Sequence, residues 1–225
     1  MYFSRITLSA TAGKTSGFWK IFQSPYTLHQ SIWEMFSDHA DRNRDFIYRL
    51  DNQGVRPVVY VVSSRLPKQD SEIWAVESKP YAPKIETGTR LSFMLRANPV
   101  VSRRDENNKQ HRHDVVMDLK TGIKAKKLPK SEMPTMTAIV HEAGLNWLVE
   151  RAEKNGFFVR PDDIRADGYR QERFTKRKGR QIRYSTLDFS GQLSVTEPDI
   201  FLSKLIKGIG SAKGFGCGLM LVKRV

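Results

Sequence analysis

The first half of the chain alternates apolar and polar residues in several short runs. "YFSRITLS" at residues 2–9 repeats with period two and predicts a strand. "TLHQSIWEMFSDH" predicts a helix after Ser24 and Pro25, because its apolar residues share one helical face: Leu28, Ile32, Met35 and Phe36. "DFIYRL" and "PVVYVVSS" predict a strand pair around the turn "DNQG", and "DSEIWAVESKPY" predicts a short helix and a further strand. The order β-α-β-β-α-β is typical of a ferredoxin-like domain.

A similar order of elements follows Gly88. "TRLSFMLRANPVV" predicts a strand, "RRDENNKQHRHD" a polar loop, "DVVMDL" a short strand and "KTGIKAKKLPKSEMP" a basic connection. "TAIVHEAGLNWLVERAEKNG" predicts a helix that ends at Gly156. A strand pair around the basic tip "TKRKGR", a helix "DIFLSKLIKGIG" and a strand "GLMLVKRV" complete the chain. We therefore predict an α+β protein of two tandem ferredoxin-like (RRM-like) domains, residues 1–88 and 89–225.

The charge of the chain predicts a polyanionic partner. The 225 residues include 38 Lys and Arg against 24 Asp and Glu, which gives a net charge of +14. Nucleic acid is the commonest partner of such a surface and a membrane surface is the second. No apolar run approaches the roughly 18 residues of a spanning helix, and the N-terminus is too short and too alternating for a signal peptide. The single Cys217 excludes an internal disulfide and a cysteine-cluster metal site. We expect a cytoplasmic protein with no metal, no cofactor and no membrane partner.

A glycine-rich loop precedes the last predicted strand and contains Gly208, Gly210, Gly214, Gly216 and Gly218. A nucleotide-phosphate loop needs the order strand, loop, helix, whereas this loop follows a helix and precedes a strand. Lys213 to Gly216 fits the start of an RNA-recognition signature, but Cys217 and Met220 stand where that signature has stacking aromatics. A helix end with a tight turn explains one or two of the glycines. A loop whose backbone lets a polyanion come close explains all five.

The spacing of these glycines resembles a known family. Gly208-Ile209-Gly210, five residues, then Gly216-Cys217-Gly218 is similar to the C-terminal loop of the CRISPR repeat-processing endoribonucleases. The whole chain resembles their CasE branch, from the type I-E Cascade complex, in its two domains, its length, its first strand and a Tyr-x-x-His stretch matched by Tyr26 and His29. The resemblance implies a metal-independent endoribonuclease that cuts the stem-loop of CRISPR repeat RNA at its 3′ base. It also implies that the protein keeps the product among the other Cascade subunits.

Such cleavage uses the RNA 2′-hydroxyl as nucleophile, and the protein must move protons and stabilise negative charge. His29 is the candidate for proton transfer, because it borders the apolar face of the first helix and matches the family motif. Tyr26, one turn earlier, is the candidate for a hydrogen bond to the 2′-hydroxyl or the phosphate. The remaining histidines have structural or solvated interpretations: His39, His111, His113 and His141. Which residue is the base and which is the acid stays open, and so does the identity of a third, cationic group.

A basic hairpin is the predicted RNA-binding surface. Between residues 165 and 183 only Asp167 and Glu172 oppose eight bases: Arg165, Arg170, Arg173, Lys176, Arg177, Lys178, Arg180 and Arg183. The resemblance places such a hairpin at the base of the repeat stem-loop, and the five glycines and Lys213 extend the predicted surface. A second basic patch contains Arg103, Arg104, Lys109, Arg112, Lys124, Lys126 and Lys127. Two alternatives remain: a non-catalytic RNA-binding protein of the same fold and a DNA-binding protein.

Overall fold

The computed structural model describes residues 1–16, 18–37, 44–52, 57–175 and 181–225. In the described part of the N-terminal half, the strands and α-helices are β1 (Tyr2–Leu8), α1 (Phe18–Ile21), α2 (Pro25–Glu34), β2 (Phe46–Asp51), β3 (Val58–Ser63) and β4 (Trp74–Pro80). The strands form an antiparallel sheet in the order β2-β3-β1-β4, which is the ferredoxin-like arrangement.

Helix α2 begins where the sequence predicts, because Ser24 and Thr27 cap it reciprocally. The Ser24 hydroxyl accepts a hydrogen bond from the Thr27 amide at 3.1 Å, and the Thr27 hydroxyl accepts one from the Ser24 amide at 3.1 Å. Leu28 and Ile32 are buried against the sheet, as their spacing predicts. This packing turns the neighbouring face of the helix, with Tyr26 and His29, away from the core.

The short helix predicted between β3 and β4 is absent, since residues 64–73 contain no helix. The connection instead ends in a turn at Ser71. The Ser71 hydroxyl accepts hydrogen bonds from the amides of Ile73 and Trp74 at 3.3 and 3.1 Å. The buried Trp74 then donates from its indole to Ser31 on α2 at 2.8 Å. The sheet order is kept although one helix of the ferredoxin-like pattern is missing.

The C-terminal half repeats the arrangement with additions. Its elements are β5 (Arg90–Ala97), β6 (Val100–Arg104), β7 (Gln110–Asp114), α3 (Val115–Ala125), α4 (Met136–Ala152), β8 (Phe157–Phe158), β9 (Ile164–Thr175), β10 (Gln181–Val195), α5 (Pro198–Lys207) and β11 (Met220–Arg224). The sheet order is β11-β5-β10-β8, and β9 also pairs with β10. Helix α4 ends at Ala152, and one 3-10 turn, Glu153–Asn155, continues to the left-handed Gly156, where the sequence predicted the helix to end. Gly208 caps α5.

Two predictions between β5 and α4 are wrong. The polar loop is part of a hairpin of β6 and β7, and its exposed residues after Val101 leave no period-two apolar signal. The predicted strand and the first part of the basic connection are helix α3. Asp114 starts this helix by accepting hydrogen bonds from the amides of Val116 and Met117, each at 2.9 Å. Val116 and Ile123 bury one face of the helix against the second core.

An ionic cluster and an apolar contact join the two halves. The buried Arg49 of β2 lies 3.6 Å from Asp188 of β10, which also accepts two hydrogen bonds from Arg96 of β5 at 2.9 and 2.8 Å. Ile47 and Val62 of the first sheet pack on Leu219 before β11. These contacts hold the helical face of the first half close to the glycine-rich loop of the second. The division at residues 88 and 89 stays a proposal.

No helix within the described parts of the chain is long and apolar enough to cross a membrane.

Candidate functional site

The two predicted catalytic residues line one cleft of about 410 Å³. Tyr26 and His29 lie on α2, and Gly214 and Phe215 approach from the loop between α5 and β11. The cleft is therefore formed by residues from both halves of the chain. A cleft shared between two domains is a common place for a binding or catalytic site.

The His29 ring is half-buried and lies among three aromatic side chains. The Tyr48 ring is nearly parallel to it, with centroids 6.2 Å apart and 16° between the planes. The rings of Trp33 and Phe215 lie at 5.9 and 6.2 Å. These contacts restrict the imidazole orientation, which is a requirement for a group that transfers a proton in a fixed geometry.

Tyr26 connects α2 with the basic hairpin. Its ring stacks on Phe174 of β9 at 6.2 Å, and Phe174 lies 5.0 Å from Phe215. Phe215 also stacks on Tyr184 of β10 at 5.3 Å. The helix, the hairpin and the glycine-rich loop thus meet in one aromatic cluster. Phe215 was not predicted as a site residue, although it lies inside the glycine-rich loop and fits the aromatic position at the start of the RNA-recognition signature.

Four of the five glycines have a conformational role. Gly208, Gly210, Gly216 and Gly218 have φ angles between 74° and 95°, a region that other residues rarely adopt. A Cβ on Gly208 would lie 3.1 Å from the Gly218 carbonyl oxygen, and one on Gly218 would lie 2.9 Å from the Ile209 oxygen. Gly208, Gly216 and Gly218 are also buried. For these three, packing within the protein explains the glycine, and contact with RNA is not needed.

Gly214 is the glycine that faces the cleft. Its φ is not in the left-handed region, and a Cβ there would lie 3.1 Å from Arg44 Nη1 and 3.8 Å from His29 Cε1. Its carbonyl oxygen accepts a hydrogen bond from the Tyr48 hydroxyl at 3.0 Å. Burial raises the pKa of Tyr48, so this phenol stays protonated and keeps donating. The loop is thereby fixed beside the imidazole.

Positive charge converges on the same point. Arg44 precedes β2 and was not predicted, because nothing in the local pattern distinguishes it from other surface arginines. Burial lowers the pKa of Lys213, and the charges of Arg44 and Lys204 lower it further. Partial desolvation also lowers the pKa of Arg44, although its side chain stays exposed to solvent. Cations that repel one another and lose solvent are stabilised by an anion, and a phosphate beside Gly214 would supply one.

Three of the described arginines of the basic hairpin line two separate grooves. Arg173 and Arg183 are directly opposite on β9 and β10, and with Arg112 of β7 they line a groove of about 680 Å³. Like charges directly opposite in a sheet repel, so an anion bound between them would be favourable. Arg170 lines a second groove of about 360 Å³ next to the start of α2. Four predicted RNA-binding residues lie outside the described residues: Lys176, Arg177, Lys178 and Arg180.

The structure separates two other histidines from the cleft. His111 lies 2.8 Å from Asp105 in the β6–β7 hairpin, and His141 on α4 approaches the Ile164 carbonyl oxygen at 3.3 Å. His39 lies outside the described residues. Within the described ranges, no three His, Cys, Asp or Glu side chains are grouped as metal ligands would be. Metal independence stays a prediction.

Fold and cleft together define a two-domain ferredoxin-like protein whose candidate site lies between its domains. The chain belongs to the family described as CRISPR associated protein, whose model matches residues 1–224. It is 26% identical over 198 residues to the CRISPR system Cascade subunit CasE of Escherichia coli K12, covering 87% of this chain and 89% of the relative. It is also 26% identical over 219 residues to the CRISPR-associated endoribonuclease Cse3 of Thermus thermophilus, covering 88% and 90%. The solved structure of a CRISPR endoribonuclease Cse3 bound to a 19-nucleotide RNA matches with a TM-score of 0.72 at 22% identity, covering 99% of this chain and all of that one.

Proposed function

We propose that this protein is a metal-independent endoribonuclease that recognises the stem-loop of CRISPR repeat RNA and cleaves at its 3′ base. The RNA 2′-hydroxyl attacks the adjacent phosphorus and the 5′-oxygen of the next nucleotide leaves. The products are a 2′,3′-cyclic phosphate and a 5′-hydroxyl. The two curated relatives support the activity, because one is named an endoribonuclease and the other a Cascade subunit.

One observation carries the proposal. The position that a Cβ would take on Gly214 lies 3.8 Å from His29 Cε1 and 3.1 Å from Arg44 Nη1. Tyr26 lines the same cleft. A phosphodiester at that point would have a proton-transfer group and a cation beside it, and a phenol lines the same cleft. Proton transfer and stabilisation of negative charge are what cleavage without a metal ion requires, and His29 and Arg44 are suited to them.

Each group has a role that follows from its chemistry. His29 exchanges a proton with the 2′-hydroxyl or with the leaving 5′-oxygen. The Arg44 guanidinium stabilises the extra negative charge on the phosphorane, since arginine stays charged at all ordinary pH values. Tyr26 donates a hydrogen bond to the 2′-hydroxyl or to a phosphate oxygen. Arg44 is thus our candidate for the third, cationic group that the sequence alone left open.

The basic hairpin is the proposed contact with the RNA duplex. A-form grooves are recognised mainly through shape and phosphate contacts, and Arg112, Arg173 and Arg183 line one groove together with Asp114 and Glu172. Gly210 and Gly214 are the glycines whose positions leave room for RNA, and Lys213 adds charge beside them. After cleavage the protein retains the guide RNA within a Cascade complex, in contact with its other subunits. We also propose that it acts in the cytoplasm, where the transcript it would process is made.

The test is incubation of the purified protein with a repeat transcript in excess chelator. We expect cleavage at the 3′ base of the stem-loop, a cyclic-phosphate product, and no cleavage when the sugar at the cut site lacks its 2′-hydroxyl. Activity that disappears in chelator and returns with magnesium would contradict the metal-free mechanism. Tight stem-loop binding without any cleavage would favour the non-catalytic RNA-binding alternative.

A further inference from the structure

A second cleft, of about 650 Å³, lies on the other side of the N-terminal sheet from α2. Ile6 of β1 and Val59 of β3 pack in the core with α2, so their neighbours in the strands point to the opposite face. Phe3 and Tyr60 are on that face and line the cleft. Their position makes this cleft separate from the one that contains His29.

Three aromatic side chains form a continuous platform in this second cleft. The Phe3 ring stacks on Tyr60 with centroids 5.9 Å apart and 28° between the planes. It also contacts Tyr81, which follows β4, at 5.6 Å. All three rings are half-buried, so each keeps a part of its surface open. Aromatics on the two central strands of a four-stranded ferredoxin-like sheet are the arrangement on which RNA-recognition motifs stack bases.

Cations surround this platform. Lys79 of β4 places its ammonium 5.8 Å from the centre of the Phe3 ring. Lys84, Lys223 and Arg224 also line the cleft, and its lining among the described residues contains no Asp or Glu. The Arg224 guanidinium donates to the Lys84 carbonyl oxygen at 2.9 Å, which holds the two basic segments together. Stacking rings within a basic groove are the two components of a site for single-stranded nucleic acid.

We propose that this cleft binds single-stranded RNA, with bases stacked on Phe3, Tyr60 and Tyr81 and phosphates on the surrounding lysines and arginine. The choice of RNA rests on the proposed function, in which single-stranded sequence adjoins the stem-loop in the transcript. The strand would contact the face of the N-terminal sheet that α2 does not cover. This site would add affinity for an extended substrate without taking part in the chemistry at His29.

The first experiment uses a fluorescent oligouridylate of about ten nucleotides, a length within the usual range for such sites. The oligomer has no stem, so its binding is independent of whether the protein cleaves a repeat. We expect wild-type protein to bind it, and Tyr60→Leu to weaken binding about tenfold or more because a base loses its ring. Tyr60→Phe, which keeps the ring, should retain the affinity.

Substitutions at exposed residues test the contribution of charge to binding and provide matched controls. Lys79→Ala should weaken binding and flatten the dependence of log Kd on log salt by about 0.7. Phe158→Ala and Lys154→Ala remove an exposed ring and an exposed charge elsewhere and should change neither quantity. Melting temperatures check that Tyr60→Leu folds. If that variant is unstable, the exposed Lys79 still provides the test.

A second arm compares a bare stem-loop with one that has a single-stranded extension. The extension should increase wild-type affinity, and the gain should disappear in Tyr60→Leu and Lys79→Ala while cleavage of the bare stem-loop continues unchanged. The proposal is wrong if wild-type protein does not bind oligouridylate, or if both variants bind it like wild type. If the variants keep RNA affinity but lose co-elution with the other complex subunits, the cleft is a protein contact and the proposal is again wrong.

Discussion

Two neighbouring glycines, Gly214 and Gly216, should respond differently to the same added methyl group. At Gly214 an alanine Cβ meets the Arg44 Nη1 at 3.1 Å and His29 Cε1 at 3.8 Å, and the backbone φ is compatible with alanine. At Gly216 φ is 79°, and the Cβ would lie 3.3 Å from the Tyr48 ring. We predict that Gly214→Ala impairs cleavage without loss of stability, and that Gly216→Ala lowers stability.

The magnitudes follow from these contacts. The left-handed conformation costs alanine about 1–2 kcal/mol, which for a chain of this size corresponds to a fall in Tm of roughly 2–8 °C. Gly214→Ala should leave Tm unchanged or raise it slightly, because alanine reduces the entropy of the unfolded chain by about 0.4–1 kcal/mol. The methyl group occupies the point where we place the phosphate. A displacement of about 1 Å there is worth on the order of 10² in rate.

The assay is single-turnover cleavage of a repeat stem-loop at saturating protein, with Tm measured on the same preparations. Gly122→Ala is the control, because this α3 glycine has open space around its Cβ and lies outside both clefts. A Gly214→Ala protein that melts like wild type but cleaves about a hundredfold more slowly would support the cleft assignment. Full cleavage by Gly214→Ala would refute it, and a Tm as low as that of Gly216→Ala would show that the loop conformation had been misjudged.

Three further predictions test the same site. His29→Ala should slow cleavage by about 10²–10⁴ and leave stem-loop binding close to wild type, since one imidazole adds little to an affinity dominated by phosphate contacts; a parallel loss of binding would indicate a structural role. Replacing Arg173 and Arg183 by alanine should flatten the slope of log Kd against log salt by about two, and an unchanged slope would show that the RNA does not contact this pair. Tyr48→Phe removes the hydrogen bond to the Gly214 carbonyl, so it should cost about 0.5–1.5 kcal/mol of unfolding free energy and slow cleavage; an unaffected rate would mean that the loop needs no such anchor.

Local patterns predicted those elements that bury one face against a core. The spacing of Leu28 and Ile32 identified α2, because an amphipathic helix and its apolar stripe share one period. The sequence did not predict the β6–β7 hairpin or α3, and the reason differs between the two. The hairpin is exposed and has no apolar alternation, whereas α3 begins with the adjacent apolar residues Val115 and Val116, which also fit a strand. Asp114 resolves that ambiguity as a helix cap, but its capping hydrogen bonds exist only once the helix has formed.

The sequence by itself determined the two-domain architecture, the basic character, and Tyr26 and His29 as candidates, because period, charge and motif spacing are local properties of the chain. The tertiary structure alone decided which residues share a cleft with them. Phe174 and Phe215 are distant from His29 in sequence and lie at the site because the ionic cluster of Arg49, Arg96 and Asp188 joins the two halves. Arg44 belongs to the same half as His29, and only the structure shows that it lies beside the cleft. The tertiary structure also decided the roles of the glycines. Gly214 and Gly216 are the same residue type, but they differ in φ and in the atoms that lie near the Cβ position.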